Sequence, residues 1–191
     1  MIDSGAVVGV EASRRLARLG TVHIQSGLTE EEFDGVERRF GFQFADDHRA
    51  FLAAGLPGFT PGRDDHPAKA SWGWPNWRDL ESEELRAQVE WPTQCVLSVI
   101  RGGGWPIGWG KRPANPDEVA AKAHRMLATV PRMVPVYAHR YLPGGRATSG
   151  HAVLSIHALD DIIVYGLDLA DYIDQEFRSP TITVSFWSAY L

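Results

Sequence analysis

Only one cysteine, Cys95, occurs in the 191 residues, so no internal disulfide can staple the fold. No apolar run is long enough to cross a bilayer, and the chain opens with no basic-then-apolar leader, so a cytosolic protein without a membrane partner is expected. Basic residues are also scarce: 19 Lys and Arg stand against 24 Asp and Glu, giving a net charge of −5 with no cationic stripe. Such a balance disfavours nucleic acid, whose phosphates need clustered Lys and Arg, and steers basic protein surfaces toward the chain instead. Charge blocks and internal repeats are missing too, which argues against a disordered tail or a solenoid. What remains is ordinary globular material, 44% hydrophobic and 23% charged, of a length that suits one domain. Tryptophan is the one excess, with seven residues, most of them between Trp72 and Trp109.

Residues 1–25 form an N-terminal extension, with Ala12, Leu16 and Leu19 on one helical face, Gly20 suited to a C′ position and a possible short strand at 21–24. Its role is open. Thr29 and Glu32 make a capping box for a helix carrying Phe33, Val36 and Phe40, ended by Gly41. Asp46 or Asp47 can cap a second helix running to Gly55. Residues 57–78, rich in Pro, Gly, Asp and Trp, read as an ordered irregular loop. A surface helix over 79–89 is stopped by Trp91-Pro92, and Val96–Ile100 is strand-like. Asn115 with Pro116 opens a helix whose stripe runs from Val119 to Val130. Strands over 133–137, 151–156 and 162–165 follow, with a Pro/Gly turn at 143–150. Asp168 then caps a helix buried through Leu169, Tyr172, Ile173 and Phe177. Residues 181–187 alternate as an edge strand would, and a terminal helix turn fits them nearly as well. The order predicts an α+β single domain, with a central mixed or antiparallel sheet packed against several helices.

Two groups of residues suggest binding. Trp72, Trp74, Trp77, Trp105 and Trp109, with Arg78 and Arg112 beside them, have the composition of an interaction hot spot, although packing accounts for them equally simply. His139-Arg140-Tyr141 joins an imidazole, a fixed cation and a phenol at a strand end. Catalysis there would require a nucleophile or carboxylate in reach, and the sequence shows none, so no catalytic residue is assigned. His151 and His157, with His139 or Asp160, can be drawn as a metal site, but they lack the close ligand spacing of zinc motifs, and neither metal nor cofactor is expected. Gly102-Gly103-Gly104 lacks the Lys-Ser/Thr of a phosphate loop, and Cys95 has no activating neighbour.

Four stretches together resemble the SUKH superfamily, which includes a fungal cell-wall-synthesis regulator and many bacterial immunity proteins. They are Gly27–Phe44 with the helix to Gly55-Leu56-Pro57, WPIGWGKRP at Trp105–Pro113, VPVYAHRYLP at Val134–Pro143, and Ala152–Phe177 around Asp161-Ile162-Ile163-Val164-Tyr165-Gly166. The likeness spans residues 26–191 as one SUKH-like domain. It leaves 1–25 without a counterpart and differs at Arg101-Gly102-Gly103-Gly104, where relatives carry acidic or amide residues. It implies a non-enzymatic protein-binding module, an immunity-type protein neutralising a cognate polymorphic toxin or a related intracellular scaffold. The binding face expected is the concave side of the sheet, with Trp72, Trp74, Trp77, Arg78, Trp105, Trp109, His139, Arg140 and Tyr141 in contact. The alternative is a small-molecule-binding protein or weak hydrolase centred on His139, Arg140 and Tyr141.

Overall fold

A computed structural model describes residues 4–58, 72–159 and 161–177. Among them are six helices and two antiparallel sheets, in an α+β arrangement. The alternating edge-strand or helix-turn segment 181–187 lies outside the described residues, as do most of the loop over 57–78 and Asp160.

Helix α1 (Ser4–Leu19) is no loose appendage: Ala12 and Leu16 are fully buried in the main core. Its backbone approaches α3 (Asp46–Ala54) so closely that a Cβ on Gly9 would stand 2.0 Å from the Asp47 carbonyl oxygen. Arg15 ties the same helix to α6 (Leu169–Phe177), its guanidinium 2.7 Å from Asp174. Strand β1 (His23–Gln25) then pairs with β2 (Leu56–Gly58). Between them, α2 (Glu30–Phe40) carries the expected capping box, with Glu32 N–H donating to Thr29 Oγ1 and Glu32 accepting from Thr29 N–H, and it ends at left-handed Gly41. The cap of α3 differs from expectation. Ala45 is its N-cap, and the carboxylates of Asp46 and Asp47 accept instead from the amides of Ala147 and Gly150, stitching the 143–150 turn to this helix.

The expected stop at Trp91-Pro92 and the strand at 96–100 are both corrected. One helix, α4 (Glu83–Arg101), capped by Ser82, runs through Pro92. Proline at 92 has no N–H for the Gln88 carbonyl four residues back, a defect that usually breaks or kinks a helix. Here the Tyr141 hydroxyl, at 3.0 Å, donates to that carbonyl in its place. Further bonds hold α4 on the sheet: Trp91 Nε1–H donates to Ile156 O, and the Gln88 side-chain amide donates to Gly73 O and Ala138 O. With its backbone demand met, the segment 96–100, three of whose five residues are β-branched, stays helical, turning Ile100 onto α5 (Pro116–Leu127) with Val119 and Ala123. Asn115 and Pro116 open α5 as the sequence indicates.

The larger sheet is an antiparallel meander, β3 (Met133–Tyr137), β4 (Arg140–Pro143), β5 (Val153–Ala158) and β6 (Asp161–Gly166), in that spatial order. Strand β4 was not foreseen as a separate strand. A two-residue connection at Ala138-His139 makes it, with Ala138 at φ 48°, an uncommon conformation for a residue bearing a Cβ. Gly73 O accepts from the Ala138 N–H, and the Gln88 amide holds its carbonyl, so tertiary contacts fix a turn that carries no glycine or asparagine. One face of the sheet joins the main core through Val134, Leu142 and Val153, beside Leu169 and Tyr172 of α6. The other meets α4, where Tyr141 and Ile156 pack on Trp91 and Cys95.

Candidate partner-binding surfaces

The structure separates residues that the sequence grouped. Trp77 is 1% exposed and sits edge-on to Phe42 and Phe44 in the main core, so it offers nothing to a partner, contrary to expectation. Trp74, half-buried, stacks on Phe177 at 5.2 Å and touches Phe51 and Tyr137, joining α3, β3 and α6. Arg78 is engaged within the molecule: it pairs with Glu32 at 2.6 Å and donates to Ser26 O and Gly27 O. Glu32 thereby falls below the ordinary carboxylate range, chiefly through its hydrogen bond from Arg78.

His139, Arg140 and Tyr141 do not converge. Alternation along the strand sends Arg140 toward α6, where it pairs with Glu176 at 3.2 Å, donates to Ser155 Oγ and lies 3.8 Å from the Tyr165 ring centroid. Tyr141, with no exposed surface, points the opposite way into the α4 contact, and burial drives its hydroxyl pKa well up. His139 stands apart from both, its ring 4.4 Å from that of His157 and flanked by Trp72 and Trp91. Burial first, then His157 and Arg140, hold its pKa below the usual imidazole value. A joint pocket for these three side chains, as the small-molecule or hydrolase alternative requires, is therefore not formed.

His151 lies with Asp47 rather than with the His139–His157 pair, dividing the metal trio that sequence permitted. Among the described residues no group of three or more His, Cys, Asp or Glu could hold a metal ion. Burial raises the Cys95 thiol pKa, which suits a packing residue.

Contact surface is offered elsewhere. The expected concave sheet face is occupied, because α4 covers one side of β3–β5 and the main core the other. Between α4 and α5, however, the loop at 102–112 is held as a fixed projection. Trp105 and Trp109 meet edge to face at 5.5 Å, Trp105 Nε1–H donates to Gly110 O, and Lys122 stands over the Trp105 ring. Arg112 donates to Gly103 O and Ile100 O, closing the glycine run onto the C-terminus of α4. Ile107 at the tip is entirely exposed. Beside this loop, a cleft of about 560 Å³ opens between α4 and α5 over Leu97, Ile100 and Val119. Toward the C-terminal end of α5 a second cleft, of about 290 Å³, is lined by Cys95, Met133, Ile156 and Ile162. The motif WPIGWG marked this loop in the sequence, but the exposure of Ile107 is a property of the tertiary structure alone.

No protein-family model, curated protein or solved structure matches the chain. Among the described residues no helix is long and apolar enough to cross a membrane.

Proposed function

We propose that this chain is a non-enzymatic protein-binding module of SUKH type, an intracellular immunity-type protein that neutralises a cognate toxin or a related scaffold. The observation that carries this reading is the fully exposed Ile107 at the tip of a loop clamped by Trp105, Trp109 and Arg112. A large aliphatic side chain held in water on a pre-organised support gains most when a partner covers it, and its ordering cost has already been met by the fold. Trp105, Trp109 and Trp72, all half-buried, add indole surface, whereas Trp77 and Tyr141 serve packing. The sequence resemblance over residues 26–191 and the net charge of −5, which attracts basic partners, support the same reading.

Co-expression with each protein encoded by the flanking genes tests it. One of them should be retained at fixed stoichiometry through purification, and Ile107→Asp should weaken that binding at least tenfold with an unchanged melting curve. Retention of none of these neighbours would overturn the proposal.

A further inference from the structure

We propose that two copies of this chain pair through the outer edge of β6, continuing the four-stranded sheet of one protomer into that of the other. β6 is hydrogen-bonded to β5 on one side and to no described strand on the other. Its apolar residues are also open to solvent: Ile162, Ile163 and Val164 are 42%, 52% and 59% exposed, and Leu167 just beyond it 74%. Edge strands in monomeric proteins are ordinarily guarded by lysine, proline, a bulge or a covering helix, because an open ladder of N–H and C=O groups recruits another strand. Between 162 and 164 there is no lysine or proline, and the register with β5 is regular across these three positions, shifting only at the two ends of the strand, where Ala158 meets Asp161 and Val153 meets Gly166.

The sequence of β6 selects a second copy as the occupant. Antiparallel pairing about a twofold axis at Ile163 sets Ile162 opposite Val164 and Ile163 opposite itself, so the centre is made of β-branched pairs that stabilise cross-strand contact. The only charge on the strand, Asp161, falls opposite Tyr165 and not opposite the other Asp161, so the register sets no two like charges against each other. Both faces are served. Ile162 and Val164 share the α4 side with Leu154 and Ile156, and Ile162 lines the smaller cleft, so the second copy's Val164 would come to lie at its mouth. Ile163 lies on the α6 side, across from Ser155. The proposal is independent of the partner assigned to Ile107.

Analytical ultracentrifugation of the full chain over a wide concentration range, together with cysteine cross-linking, decides it. The wild type should show a reversible dimer, and Ile163→Lys should weaken association at least tenfold while leaving the circular dichroism spectrum and melting midpoint in place. Under mild oxidation, Ile163→Cys should form an intermolecular disulfide much faster than Leu167→Cys, since only the former meets its own copy; Cys95 is buried and serves as an internal control. A wild type that stays monomeric would overturn the proposal, whether residues 178–191 or another protein occupies the edge. A dimer unaffected by Ile163→Lys, or equal cross-linking at both positions, would overturn it too.

Discussion

Replacing Tyr141 by phenylalanine removes one oxygen from a site with no exposed surface, and the cost follows from what that oxygen does. Its hydroxyl donates at 3.0 Å to the Gln88 carbonyl, which loses its usual donor four residues on because residue 92 is proline. In Tyr141→Phe that carbonyl stays buried and unpaired, a loss of roughly 1–3 kcal/mol. A chain of this length should lose roughly 2–4 °C of melting temperature per kcal/mol, so a fall of about 4–8 °C is expected for a 2 kcal/mol loss. Pro92→Ala supplies the missing N–H to the same carbonyl. In that background Tyr141→Phe should cost less than about 0.5 kcal/mol, and the double-mutant cycle by urea denaturation should return a coupling of at least about 1 kcal/mol. If the phenylalanine variant loses the same stability with and without Pro92, the hydroxyl does not stand in for the helical bond and the account of α4 fails.

Two other outcomes are expected. His48 is wholly buried, neither ring nitrogen has a partner among the described residues, and burial depresses its pKa to about 3. Above pH 6.5 both states hold it neutral; as pH falls from 6.5 toward 3 the unfolded chain takes up a proton that the folded chain refuses, so stability is lost at up to about 1.4 kcal/mol per pH unit. The neighbouring Asp47, raised by burial, acts with the opposite sign, so denaturant titrations at pH 7 and pH 5 should compare wild type with His48→Leu, which should lose about 2 kcal/mol less over that interval. Trp77→Ala should cost about 3–5 kcal/mol as a core cavity, whereas Trp72→Ala, at a half-exposed site, should cost about 1 kcal/mol or less by the same denaturation assay; equal costs would contradict the different placements of the two indoles.

What the sequence made legible was local. Thr29 with Glu32, Asn115 with Pro116, and Asp168, whose carboxylate accepts from Asp171 N–H, all mark helix starts because cap and capped amide lie within three residues of each other. Helix α4 was missed because the group answering Pro92 is Tyr141, on a strand far along the chain. The β3–β4 turn was missed for a similar reason, since Ala138 is held in its uncommon conformation by Gly73 and Gln88 rather than by its own side chain. Among candidate contact residues, composition identified the indoles but gave no means of separating core Trp77 from half-exposed Trp72. The exposure of Ile107 and of β6 is likewise invisible in composition, because aliphatic residues ordinarily signal the interior.

The bridge from Arg15 to Asp174 has a consequence for how the molecule comes into being. These partners are 159 positions apart, and at a synthesis rate of 5–20 residues per second the acidic group follows the basic one by roughly 8–32 s. During that interval the first helix has α3 for company but lacks α6, leaving part of its apolar stripe wet. A nascent chain halted before residue 169 should therefore be the form most in need of a chaperone.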